Sequence, residues 1–342
     1  MKILVTGANG FIGSFIIEHA LQHGFEVWAG VRETSNKSWL TDSKIHFIDI
    51  DLFDEARLQD SLLKFRQKEG SWDYVVHAAG ITKAADEKEF LAVNYEGTCH
   101  LVNALKELSM VPQRFIFLSS LSVLGPLKEQ SALQPDGAFY APLTATDTPH
   151  PNTAYAMSKL QAENYLLSLK DFPFVILRPT GVYGPREKDY FLLAKSIKRH
   201  IDFAVGLHPQ EITFIYVRDL VQAVFLALDH GKNGNIYLLS DGLTYNSRSF
   251  SDLLQQEMGV KNVVHFKAPL FLLRLACTIG EISSKLSGNV STLNNDKYHI
   301  LKQRNWRCDI QPARQILGFQ PVFDLERGVK ETVAWYRKQQ WI

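Results

Sequence analysis

Residues 2–24, KILVTGANGFIGSFIIEHALQHG, restrict the fold of this chain more than any other stretch. A short β-rich run ends at Thr6-Gly7, and apolar residues then recur at helical spacing until Gly24. A strand that turns through glycines straight into a helix opens a parallel β-α-β unit. Gly7, Gly10 and Gly13 stand in the pattern GxxGxxG. The first permits the tight turn, the second lets backbone approach a pyrophosphate, and the third lets helix and strand pack closely. Backbone N–H groups around Asn9, Phe11 and Ile12 fall at the helix start, where free donors and a partial positive charge suit phosphates.

The alternation continues. EVWAGVR, IHFIDIDL, DYVVHAAG, RFIFLSS and FPFVILRP read as further strands. DEARLQDSLLKFRQKEG, EFLAVNYEGTCHLVNALKEL and AYAMSKLQAENYLLSL read as helices between them. The pattern predicts an α/β, Rossmann-type, doubly wound parallel sheet covered on both faces, with ligands at the carboxyl ends of the strands. After Pro179 the pattern loosens, although NIYLLSD reads as a late strand able to rejoin the sheet. The division expected is a nucleotide-binding domain over 1–178, rejoined by about 207–242. A smaller, mostly helical substrate domain takes 179–206 and 243–342.

Composition narrows the function. Of 342 residues 46% are hydrophobic, enough for a large core, and a net charge of +1 gives no reason to expect a nucleic-acid partner. Cys99, Cys277 and Cys308 lie far apart, which argues against a disulfide framework or a metal site and fits a reduced cytoplasm. No secretory signal and no apolar run of about 18 residues is visible. PLFLLRLACTIGEI, 269–282, comes nearest and is interrupted by Arg274. It reads as a core-packed helix, as an apolar wall or lid, or as a patch resting on a membrane surface.

Tyr155 and Lys159 stand four apart on one face of a helix. An ammonium near a phenol lowers its pKa from about 10 towards neutrality, so the tyrosine can exchange a proton with an alcohol or carbonyl. FLSSLSVLG, ending the fifth strand, adds Ser119, Ser120 and Ser122 as hydroxyls for the same substrate oxygen. Each feature alone is weak. Together, downstream of a nucleotide loop, they point to oxidoreductase chemistry.

These residues, with HAAG (77–80), VNYEGT (93–98), YAMSK (155–159), LRPTGVYGP (177–185), YVRDL (216–220) and the closing LGFQPVFDLERGVKETVAWY, resemble the extended short-chain dehydrogenase/reductase family. That family includes nucleotide-sugar epimerases and dehydratases, dihydroflavonol reductases and 3β-hydroxysteroid dehydrogenases. The resemblance implies Tyr155 as general acid/base, Lys159 on the nicotinamide ribose and Ser120 orienting the substrate oxygen. It implies Asn94 at a backbone bend or a proton path, and Ala78, Ala79, Gly80, Leu52, Pro179 and Val182 at the cofactor. Lys83, Ser122, Thr180 and Gly181 are implied at the substrate, Asp219 is implied in support of the fold, and a homodimer is a family expectation. Asp51 either accepts from adenine or simply ends a turn.

Val31 and Arg32 occupy the end of the second strand, where NAD-preferring members of the resembled family usually carry Asp. A guanidinium there suits the 2′-phosphate of NADP, so NADP(H) is expected over NAD(H), although Glu33 is adjacent. Sugar-nucleotide members typically carry Asn where this chain has Gly181, and often Tyr where it has Leu124. A mainly apolar ketone or secondary alcohol, steroid-like or dihydroflavonol-like, is therefore the expected small-molecule substrate. A nucleotide sugar turned over with retained NAD is the alternative, and a nucleotide-binding protein without chemistry the second.

Overall fold

The computed structural model describes residues 1–342 except 85, 131, 207 and 288–293, and except the side chains of 283–287. Seven strands form one sheet: β1 (Lys2–Thr6), β2 (Glu26–Val31), β3 (His46–Asp49), β4 (Tyr74–His77), β5 (Arg114–Leu118), β6 (Phe174–Pro179) and β10 (Ile236–Leu239). Their order is β10-β6-β5-β4-β1-β2-β3 and every pair is parallel. The late strand thus does rejoin the sheet, beside β6.

Side chains alternate between two cores, as a period of two demands. Ile3, Val5, Val76, Ile116, Leu118, Val175 and Leu177 face α1 (Phe11–Gln22) and α7 (Val217–His230). Leu4, Val75, Phe115, Phe117 and Ile176 face α2 (Glu55–Glu69), α4 (Gly97–Glu107) and α5 (Ala154–Ser168). Strands buried on both faces read as continuous apolar runs, which explains the sequence pattern. Each such aliphatic or aromatic side chain stabilises the fold by about 1.5–3 kcal/mol on burial.

Two elements depart from the sequence reading. The third strand ends at Asp49 instead of running through IHFIDIDL. Asp49 turns its carboxylate to Glu33 N (3.2 Å) and to Arg57 Nε (2.6 Å), and Asp51 Oδ1 accepts from Phe53 N at 3.1 Å. These local side-chain bonds replace ladder bonds and close the strand. The third helix is not uniform either: α3 (Glu87–Phe90) passes through a π-helical segment, Leu91–Glu96, before α4. The π segment contains Asn94.

The remaining elements pack at the carboxyl side. β7 (Gly181–Tyr183) pairs with β9 (Phe214–Tyr216), and β8 (Ile201–Val205) pairs with β11 (Val264–Ala268). α6 (Asp189–Lys198), α8 (Ser249–Met258), α9 (Leu270–Ser287), α10 (Asn295–Lys302) and α11 (Leu325–Lys338) complete the helices used below. Asp219 accepts from Val322 N and Phe323 N and so ties the C-terminal segment to α7. Trp335, Tyr336 and Trp341 close over Phe191, with Tyr336 and Trp341 stacked.

Candidate active site

The sheet order reverses between β1 and β4, and that crevice is where an open α/β sheet receives ligands. Gly7 lies there with φ +64°, and a Cβ on it would sit 2.7 Å from Ala79 Cα. On Gly13 a Cβ would lie 2.2 Å from Gly7 O, so both positions exclude any side chain. Gly10 is extended and caps α1, with its N–H on Gly7 O at 3.0 Å. The first amides of α1, at Phe11, Ile12 and Gly13, have no helical acceptor and face the crevice end of the sheet. The cradle left by the missing side chains, with donors along it, fits a dinucleotide pyrophosphate.

A buried hydrogen-bond chain fixes the floor. His77 Nδ1 meets Thr6 Oγ1 at 2.7 Å and its Nε2 meets Thr98 Oγ1 at 3.0 Å. Thr98 spends its proton on Asn94 O (2.7 Å), so His77 carries its proton on Nε2. Burial, then the Lys159 charge, lower the His77 pKa to about 3, which keeps the ring neutral. His77 is a packing residue, fully buried at the end of β4.

Asn94 shows why the helix takes a π turn. Its Oδ1 accepts from Ile81 N (2.9 Å), and its Nδ2 donates to Ile81 O (3.1 Å) and to Ser158 Oγ (3.0 Å). Ser158 in turn donates to Tyr155 O at 2.8 Å. One side chain therefore joins the loop after β4 to α5. A Cβ on Gly80 would fall 2.9 Å from Asn94 Oδ1 and 3.5 Å from Lys159 Nζ, so Gly80 keeps that loop close to both.

Tyr155 and Ser120 come together, with Lys159 one helical turn beyond Tyr155. Thr153 caps α5 through Ala156 N, which starts the helix one residue before Tyr155. The Ser120 hydroxyl lies near enough to the Tyr155 phenol to favour its anion, and the Tyr155 ring meets Phe90 edge-on at 6.2 Å between centroids. Lys159 is 4% exposed and lies over the Phe117 ring at 4.4 Å. The expected lowering of the tyrosine pKa is not what this chain's own residues produce. Burial pushes the phenol up to about 12, opposed by Ser120, because an anion there loses water without gaining an adjacent cation. Burial also lowers Lys159 to about 8, opposed by Glu163.

Several residues with no motif of their own complete the site. Glu163, one turn beyond Lys159, is fully buried and binds Arg178 of β6 through two bonds, 3.0 and 2.6 Å. Asp296 of α10 accepts from Ala154 N (3.0 Å) and Tyr155 N (3.1 Å). The i+4 spacing of Glu163 from Lys159 was legible. Asp296 lies 141 residues from Tyr155, and nothing local announces the contact.

Other predicted positions fall differently. Thr180 is buried, and its hydroxyl is already engaged on Thr213 O (2.9 Å). Ser122 is buried and donates to Ser120 Oγ (2.9 Å), orienting that serine instead of contacting a ligand itself. Lys83 is ion-paired with Asp189 at the start of α6. Leu52 is buried against Gly97, where a Cβ would lie 2.8 Å from Leu52 Cβ, and its carbonyl accepts from His100 Nδ1 at 3.0 Å. Asp51 is taken up in its turn at Phe53. Ala78 and Ala79 follow β4 beside Gly7, Pro179 ends β6, and Val182 pairs with Ile215. At Gly181 an added Cβ would be 2.5 Å from the Tyr190 hydroxyl. Arg32 is exposed, and among the described residues no hydrogen bond or ion pair holds its guanidinium.

Comparison with known proteins follows this geometry. Residues 3–240 match the model of the NAD dependent epimerase/dehydratase family. The UDP-glucose 4-epimerase of Vibrio cholerae is 27% identical over 97% of this chain and 94% of its own length. A decarboxylating sterol-4-alpha-carboxylate 3-dehydrogenase of Candida albicans is 23% identical over 98% of this chain and 97% of its own. The solved dTDP-glucose 4,6-dehydratase of Bacillus anthracis, in complex with NAD, has a TM-score of 0.75 at 18% identity, covering 100% of this chain and 98% of that one. Names that refer to nucleotide-linked sugars recur among the relatives. With the family model spanning well over half its length, the chain belongs to the NAD dependent epimerase/dehydratase family, enzymes of the extended short-chain dehydrogenase/reductase type.

Proposed function

We propose that this chain interconverts a secondary alcohol and a ketone by reversible hydride transfer. The reading rests on the Ser120 hydroxyl beside the Tyr155 phenol, on Lys159 one helical turn beyond Tyr155 and over the Phe117 ring, and on the glycine cradle that follows β1. A bound nicotinamide dinucleotide supplies or takes the hydride. Gly7, Asn9, Gly10, Phe11, Ile12 and Gly13 hold its pyrophosphate, and Ala78, Ala79 and Gly80 line it. Ser120 binds the substrate oxygen, Tyr155 gives or takes the proton there, and Lys159 holds charge beneath it. Asn94 positions the Gly80 loop and α5 relative to each other.

The relatives support a nucleotide sugar as the substrate. A second reading, an apolar ketone or alcohol, rests on one observation: the Tyr190 hydroxyl stands where a side chain at 181 would project. A phenol in that place offers one neutral donor to a diphosphate whose lost water needs several. The deciding experiment releases and counts any nucleotide retained by the purified protein, then titrates UDP-glucose and a panel of apolar ketones. Stoichiometric retained NAD with UDP-glucose binding supports the sugar reading. An exchangeable cofactor with turnover of an apolar ketone supports the second. Failure to bind any nicotinamide nucleotide would overturn both.

For the cofactor, Arg32 supports NADP(H): it is exposed, unpaired and at the end of β2. Arg57, by contrast, is already engaged by Asp49 and Glu33. Arg32→Ala is expected to weaken NADPH binding about tenfold or more, equivalent to about 1.4 kcal/mol per decade, and to leave NADH binding within about twofold. Equal loss for both nucleotides in a fluorescence titration would remove Arg32 from the 2′-phosphate role.

A further inference from the structure

We propose that the outer face of α9, with the adjoining β8–β11 ribbon, docks on an anionic lipid bilayer. This inference is independent of the substrate reading, because it rests on residues outside the active site. Phe271, Leu275, Ile279 and Ile282 are 70%, 57%, 58% and 54% exposed. At 3.6 residues per turn they and Leu272 fall within an arc of about 100°. Leu273 and Cys277, buried at 8% and 2%, occupy the opposite side and anchor the helix to the protein. The sequence reading of this stretch as core is therefore true of one face only.

The ribbon extends the apolar surface. Phe203 and Phe266 face each other across the β8–β11 register and stack at 5.7 Å, while 60% and 49% exposed. Val264, on the same face as Phe266, is also exposed. Water-facing rings and aliphatics in this number on consecutive elements exceed what scattered surface residues explain.

Charge selects the occupant. From 260 to 282 the chain carries Lys261, Lys267 and Arg274 against a single acid, Glu281. Lys195, Lys198 and Arg199, all exposed, end α6 where it enters β8. Exposed apolar side chains with cations on long flexible stems on the same and neighbouring elements suit acyl chains below and anionic headgroups around them. Among the described residues no helix is long and apolar enough to cross a membrane, so the contact is with the surface. The docked face lies near the chemistry: α9 packs on α10, and α10 carries the Asp296 that holds the Tyr155 amide.

The test is co-sedimentation of the full chain with vesicles of phosphatidylcholine containing about one third phosphatidylglycerol, against pure phosphatidylcholine vesicles. The expected result is binding to the anionic vesicles that weakens with salt. It should fall about tenfold or more in the Phe271→Ser, Leu275→Ser, Ile279→Ser variant, and also in the Lys198→Glu, Lys267→Glu, Arg274→Glu variant. Hydrogen exchange of the unaltered protein supplies a measurement that needs no variant to fold: segment 264–282 should gain protection on vesicles. No sedimentation with anionic vesicles, or no protection of 264–282, overturns the proposal. A concentration-dependent dimer broken by the same serine substitutions also overturns it, since a second copy then covers the face.

Discussion

Tyr155→Phe should lower kcat by a factor of about 10² to 10⁴, the scale of a lost general acid/base, while cofactor binding stays within about twofold. The substitution removes one oxygen. The ring keeps its edge contact with Phe90, and the backbone amide keeps Asp296, so the fold has no reason to respond. The phenol is pushed up to about 12 by burial, so it is protonated through the neutral range and the resting site is set to donate. Carbonyl reduction should therefore run well at neutral pH, and alcohol oxidation should rise as pH rises and the phenol becomes easier to deprotonate. Steady-state rates in both directions, with nucleotide titration in parallel, decide the matter. Turnover that survives in Tyr155→Phe would remove the tyrosine from the chemistry.

Glu163→Ala should lower the unfolding free energy by about 3–5 kcal/mol, because it strands the Arg178 guanidinium inside the protein. Both side chains are almost wholly excluded from water, at 2% and 0% exposure. Replacing the two together by Leu and Met should cost far less than the single change, since no uncompensated charge then remains. Urea denaturation of the two variants and the parent measures the difference. The single change should also move Lys159. Its pKa, already lowered by burial to about 8, is raised by Glu163, so losing that carboxylate lowers it further. The window in which Lys159 carries its charge then closes at lower pH, visible as a shift of the alkaline limb of the rate profile. An unchanged limb and a loss under about 1 kcal/mol would mean that the pair is a bystander.

The sheet was legible because strands buried on both faces must be apolar throughout, and glycines mark where β1 turns into α1. The placement of Tyr155 and Lys159 was legible because four residues make one helical turn. The π segment was not, since α- and π-helical stretches present nearly the same apolar spacing, and only the bonds of Asn94 to Ile81 and Ser158 account for it. Thr180 and Ser122 were placed at the substrate by motif, yet their hydroxyls are spent inside the protein, on Thr213 far along the chain and on Ser120 two residues away. The direction of the Tyr155 shift was misjudged for a related reason. Spacing shows which charge is close by but not how much water is lost, and water loss decides the outcome here.

The bonds from Asp296 to the amides of Ala154 and Tyr155 set an order of events during synthesis. The seven strands are complete once Leu239 has been made, and the crevice between β1 and β4 is complete well before that. The amino end of the helix that presents Tyr155 acquires its last backbone partner more than fifty residues later. A nascent chain can thus hold a nucleotide before it can align the tyrosine, and competence arrives only as the final helices emerge.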